Sequence, residues 1–247
     1  MNPFNRMQNV LVVLIVSVMT ACAGDTYSEL QLAAARGQTD RVAVMLDKGA
    51  DVNDYNKHGR TALMMASASG HNDTVALLLK RNAFINAQDV DGMTPLIEAA
   101  ASGHDKTITL LLENDADINI TNKYGATALT NAVFFSHVDA VKALLSAKTR
   151  LSEETTENAF LIAAGLGNLQ MLTDLLDYGV NINSRGKKGR TALMAATTFE
   201  HEDAVQLLIS KGADLSIRDI EGQTALEIAK ENDLKNIVAQ LSSVRKK

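Results

Sequence analysis

Residues 59–86 read GRTALMMASASGHNDTVALLLKRNAFIN, and this stretch decides the fold. Its opening phrase returns as Gly92-Met93-Thr94-Pro95-Leu96, Gly125-Ala126-Thr127-Ala128-Leu129, Gly189-Arg190-Thr191-Ala192-Leu193 and Gly222-Gln223-Thr224-Ala225-Leu226. The threonines stand at 61, 94, 127, 191 and 224, and the one long interval hides a degenerate copy at Asn158-Ala159-Phe160. The steps are then 33, 33, 31, 33 and 33 residues. A fixed period of this length marks a stacked array of one supersecondary unit.

The chemistry inside the unit is that of two short helices. Thr61 and Thr94 are placed to cap a first helix, whose Leu63 and Ala66, or Leu96 and Ala99, face the neighbouring unit at helical spacing. Gly70 and Gly103 then end that helix, where a left-handed residue is needed. A second helix buries Val75, Leu78 and Leu79, or Ile108, Leu111 and Leu112. Pro95 falls at a first helical position, where its missing N–H is harmless. Phrase and period together resemble the ankyrin repeat. The resemblance implies an all-α solenoid of about seven helix-turn-helix repeats with short β-hairpin fingers.

It covers residues 27–247, with repeats near 27–53, 54–86, 87–119, 120–152, 153–183, 184–216 and 217–247. Repeat one has no finger phrase and starts in its helix, with Ser28 and Gln31 as a capping pair. Repeat four has Ser136 where the helix-ending Gly belongs, and repeat six has Glu200 there. Repeat five is two residues short, lacks a finger Gly, and opens on the acidic run Ser152 to Glu157. We read that run as a finger lost to an early helical turn capped by Ser152. Repeat seven, with its Arg245-Lys246-Lys247 tail, reads as the C-terminal cap.

The first residues are a targeting segment outside the fold. Arg6 and the free amine precede Val10 to Met19, an uncharged apolar run too short to span a bilayer. Met19-Thr20-Ala21-Cys22 follows and resembles a bacterial lipobox. That resemblance implies a signal peptide over 1–21, an acylated Cys22, and a tether over 22–26 of at most about 17 Å. Cys22 is the only cysteine of the chain. With Ala23 after it, the sorting pattern implies the periplasmic face of the outer membrane. The mature chain then carries 23 − 29 = −6 charges, against −5 for all 247 residues.

Composition narrows the function. With no basic block before the last three residues, a nucleic-acid partner is not expected. His71, His104, His137 and His201 occupy one slot of successive repeats, the slot of a structural histidine in the family it resembles. At about 10 Å between neighbouring helices they cannot share an ion. His58 stands alone at a finger. No nucleophile elbow, HExxH or phosphate-binding loop is present. The expectation is a chain with no enzyme activity, cofactor, metal or small-molecule substrate.

What remains is recognition of another protein, which ankyrin-type arrays perform with their fingers and the concave face of their first helices. Two features exceed maintenance of the repeat. The fingers of repeats two, four and six carry Tyr55, Lys57, His58 and Arg60; Lys123 and Tyr124; and Lys187, Lys188 and Arg190. The ends of first helices carry Phe134 and Phe135, then Leu166, then Phe199, where repeats two and three have Ser69 and Ser102 in the Phe135 slot. An apolar patch beside irregular repeats points to a binding site, and rings turned inward over missing glycines are the alternative. The chain resembles periplasmic ankyrin lipoproteins of the immunity type. That implies sequestration of a toxic effector such as a phospholipase or other envelope hydrolase. The other reading is a scaffold for resident periplasmic enzymes in envelope or oxidative-stress defence.

Overall fold

The computed structural model describes residues 27–243. The signal peptide, Cys22 and the Arg245–Lys247 tail expected from the sequence lie outside them. Fourteen α-helices follow one another among the described residues, arranged as seven antiparallel pairs. The pairs are α1 Glu29–Ala35 with α2 Thr39–Asp47, α3 Ala62–Ala68 with α4 Asn72–Lys80, and α5 Pro95–Ala101 with α6 Asp105–Glu113. Then come α7 Ala128–Phe134 with α8 Val138–Leu145, and α9 Glu153–Gly165 with α10 Leu169–Tyr178. The last are α11 Ala192–Thr198 with α12 Glu202–Ser210, and α13 Ala225–Glu231 with α14 Lys235–Ser243.

First helices of seven residues are too short to persist alone in water. Here they are fixed at both ends. The hydroxyl of Thr61, Thr94, Thr127, Thr191 or Thr224 accepts the N–H three residues on, at 3.1 to 3.4 Å. Ser28 and Gln31 cap α1 reciprocally. At the other end a left-handed residue turns the chain, Gly70 (φ +71°) and Gly103 (φ +77°) being two examples. Ser136 (φ 59°) and Glu200 (φ 62°) adopt the same conformation at a steric cost glycine avoids.

Stacking buries one continuous seam of small and branched side chains. Leu63, Leu96 and Leu129 are fully or almost fully buried, and Phe160 fills the same slot in repeat five. The core is built between units, each unit covering its neighbour.

Three kinds of hydrogen bond recur between adjacent repeats. In the first, the His71 Nε2–H reaches the carbonyl of Ala35, and those of His104, His137 and His201 reach Ala68, Ala101 and Gly165, at 3.0 to 3.1 Å. In the second, Asn53, Asn86, Asn119 and Asn183 accept a backbone N–H from the following loop: Phe84, Asp117, Ser152 and Asp214. In the third, a finger tip donates to the finger before it: Val90 to His58, Lys123 to Asp91, Ile220 to Lys188.

None of the three joins repeat four to repeat five. Asn168 replaces the histidine and caps Met171 instead. Ser152 replaces the asparagine, and its hydroxyl caps Thr155. The finger is gone, and α9 starts from Ser152 and runs for 13 residues, as the acidic run suggested. Apolar packing around Leu129 and Phe160 holds this seam.

Candidate protein-binding surface

The fingers are tight loops closed on themselves. The side-chain oxygen of Asn56, Asp89, Asn122 or Asp219 accepts the N–H groups two and four residues on, at 2.9 to 3.0 Å. Left-handed glycines such as Gly59 and Gly125 complete the turn. Among the described residues no strand forms, and the one β-bridge pairs Tyr55 with Thr61. The fingers are therefore turns held by Asx side chains more than by a ladder.

The charged finger residues divide by what they touch. Arg60, expected at an exposed tip, turns inward: its Nη2 lies 2.8 Å from Glu98 Oε1, with 13% and 6% of the two side chains exposed. Burial pushes the Glu98 carboxyl up and outweighs the pull of Arg60. Arg190 likewise reaches the next finger, where its Nε lies 3.3 Å from Asp219 Oδ2. Burial alone would push the Asp219 carboxyl up, but two backbone N–H groups and Arg190 together hold it below the usual carboxylate range. Arg60 thus ties its finger to helix α5 of the next repeat and Arg190 ties its finger to the next finger, roles the sequence reading missed. An acidic residue 29 positions after Arg190, or 38 after Arg60, was the available signal.

Lys123 is exposed but bonded to Asp91, and it lies 5.1 Å from the Tyr124 ring centre. Tyr55 and Tyr124 are exposed, at 69% and 51%. Lys57 is exposed as well. Lys187 and Lys188 stand exposed on the short 3-10 turn Lys187–Gly189, and neither forms an ion pair among the described residues.

The apolar row has an intermediate status. Phe134, Phe135, Leu166 and Phe199 are all half-buried. Phe134 and Phe135 meet edge to face at 5.1 Å. Phe199 lies over Gly165, where an added methyl would stand 3.3 Å from its ring. Phe135, Leu166 and Phe199 share one slot of three consecutive repeats, so they form a row along the array. The rings neither leave the surface nor join the core. Phe84, which sequence reasoning passed over, is 66% exposed in a loop slot that holds Asp51, Asp117 and Asp214 elsewhere.

The four repeat histidines each bond a carbonyl and pack on a glycine of the preceding repeat, and the His137 ring also lies 6.3 Å from that of Phe135. No cluster of three or more metal-ligating side chains forms among the described residues. No helix there is long and apolar enough to cross a membrane.

Comparison with known proteins agrees with the geometry. A model described as ankyrin repeats (3 copies) matches residues 7–89 and 160–246, and one described as ankyrin repeats (many copies) matches 96–145. The chain is 34% identical over 80 residues to the ankyrin repeat-containing protein P1E11.10 of Schizosaccharomyces pombe, covering 32% of this chain and 38% of that protein. It is 37% identical over 78 residues to the putative ankyrin repeat protein L271 of Acanthamoeba polyphaga mimivirus, covering 32% and 11%. It is also 38% identical over 85 residues to the human NAD-capped RNA hydrolase NUDT12, covering 34% and 18%. The chain thus matches less than two fifths of each of these relatives. Among solved structures, the human ASB11 ankyrin repeat domain superposes with a TM-score of 0.74 at 25% identity, covering 87% of this chain and 98% of that one. The ankyrin repeat domain of Bcl-3 superposes equally well at 24% identity, covering 87% and 99%.

Proposed function

We propose that this chain, which belongs to the ankyrin-repeat family, is a non-catalytic module that binds one partner protein through repeats four to six. The observation that carries the reading is where the repeat pattern fails. Finger pairing, histidine bond and asparagine bond are all missing between repeats four and five, and the slot that holds Ser69 and Ser102 in repeats two and three carries Phe135, Leu166 and Phe199 in repeats four to six. A half-buried apolar row beside exposed polar loops has the make-up of an interface centre with its rim.

The module works, in this reading, at the periplasmic face of the outer membrane, held there by an acylated Cys22. Its partner is a toxic effector such as a phospholipase or another envelope hydrolase, inhibited by steric occlusion as immunity proteins do. The apolar run Val10 to Met19 and the Met19–Cys22 box support the anchor. Tethering supports the inhibition, because it concentrates the inhibitor at the hydrolase's substrate.

Affinity capture with residues 23–247, from cells carrying the native neighbouring genes, tests both levels. A single stoichiometric hydrolase that kills cells lacking this protein is the expected result. Recovery of resident enzymes, with no toxicity on deletion, would overturn the immunity role and make the array a scaffold.

A further inference from the structure

The finger row narrows the protein-binding reading, and this inference rests on it. In each bonded pair of fingers the second tip residue offers its carbonyl and the first tip residue of the next finger donates its N–H. His58 and Val90 meet so at 2.9 Å, Asp91 and Lys123 at 2.9 Å, and Lys188 and Ile220 at 3.0 Å. Finger four therefore presents the Tyr124 carbonyl, and finger six the Lys187 N–H, toward a finger that repeat five lacks.

Among the described residues the vacated place is open. A methyl on Gly59 would meet Asp89 Cα of the next finger at 3.1 Å, and one on Gly92 would meet Asn122 Cα at 3.0 Å. The equivalent methyl on Gly125 would meet nothing within 4 Å. The chain crosses repeat five beneath this gap: Ser152 is tied to the loop at Asn119, and α9 leads straight from it into the stack.

The charge around the gap is uneven. On finger six, Arg185 is held by the carbonyl of Arg218 at 2.8 Å and Arg190 by Asp219, while Lys187 and Lys188 are exposed and, among the described residues, form no ion pair. The floor is acidic, with Glu153 and Glu154 exposed on the first turn of α9.

We propose that the gap between fingers four and six is a docking slot for a tight β-turn of the partner protein with an acidic residue at its tip. The turn takes the place of the missing finger. One of its N–H groups donates to the Tyr124 carbonyl, and one of its carbonyls accepts from the Lys187 N–H. Its tip carboxylate faces Lys187 and Lys188, clear of the acidic floor. Backbone pairing supplies the fit and the lysines supply the selectivity, the logic of strand addition applied to a turn.

The test uses disulfide-closed hairpin peptides with an Asp-Gly or a Lys-Gly tip, and the linear Asp-Gly peptide, titrated into residues 23–247 by amide NMR. The closed acidic peptide is expected to shift the amides of Tyr124, Gly125, Lys187 and Lys188, and to bind at least about tenfold tighter than the other two. Lys187→Glu with Lys188→Glu should remove that binding and leave the thermal transition in place. Equal binding of closed and linear peptides, shifts confined to the Phe135–Phe199 row, or no shifts at all would overturn the slot. A captured partner that binds this double variant as well as wild type would also overturn it, yet would leave the protein-binding reading standing.

Discussion

The imidazole of His137 lies on the α-carbon of Gly103, so closely that a methyl there would stand 2.6 Å from its Nδ1. The same contact joins Gly37 to His71, Gly70 to His104 and Gly167 to His201. Where the first partner is not glycine the second is not histidine: Ser136 precedes Asn168, and Glu200 precedes Leu234. The histidine slot is thus a lock on the preceding repeat's glycine, closed by a bond to that repeat's carbonyl.

Gly103→Ala should therefore cost about 1–2 kcal/mol for left-handed backbone alone, plus the cost of displacing the ring. Adding His137→Asn should return part of that loss, because it makes the pairing seen at Ser136 and Asn168. Thermal unfolding of the two single variants and the double variant checks this. Strict additivity would show that ring and glycine are uncoupled.

The seam between repeats four and five should open before the others. Hydrogen exchange in mild denaturant should resolve residues 27–151 and 152–243 as two separately protected blocks. Ser136→Gly with Asn168→His installs the missing lock. It should add about 1 kcal/mol for relieved strain and a similar amount for the new bond, and merge the two blocks. Uniform exchange in the wild type would contradict the seam.

Arg60 and Lys187 should behave oppositely although both belong to basic fingers. Arg60→Met strands the buried Glu98 and should cost about 3 kcal/mol. Lys187→Met should change stability by less than about 0.5 kcal/mol. Denaturant midpoints at neutral pH separate the two.

Glu227 gives a pH signature. Its carboxylate accepts the Thr224 N–H and hydroxyl and faces Arg218, which lowers its pKa to about 2. A depressed folded-state value means that ionisation stabilises the fold. That contribution is present above the ordinary carboxylate value near 4.5 and is lost as pH falls toward 2. The stability gap between wild type and Glu227→Gln should be largest at neutral pH and should close across that window. A constant gap from pH 7 to 2 would remove the electrostatic cause.

The period, the threonine caps and the left-handed glycines were legible because each is a local demand of the backbone, repeated until it cannot be missed. The helical conversion of Ser152 to Glu157 was legible from a single local cue, a capping serine ahead of acidic first-turn residues. The reach of Arg60 to Glu98 and of His137 to Gly103 was not, since both depend on how one repeat stacks on the next. The same stacking decides the surface. Lys123 reads as a free charge until Asp91 of the neighbouring finger is beside it, and Phe199 reads as exposed until Gly165 makes room for its ring. The open place beside Gly125 is visible only when every finger is in position.

Binding of one partner protein through repeats four to six is the proposal on which the rest depends. Its most direct test is the affinity of the captured partner for Phe135→Ser with Phe199→Ser, changes that copy Ser69 and Ser102 of the regular repeats. Phe84→Ser, on an exposed ring away from that row, is the control. The expected result is at least about a tenfold loss of affinity for the double variant, a small change in its melting temperature, and no change in binding for the control. Equal binding by the double variant, or loss of binding in Phe84→Ser, would contradict it.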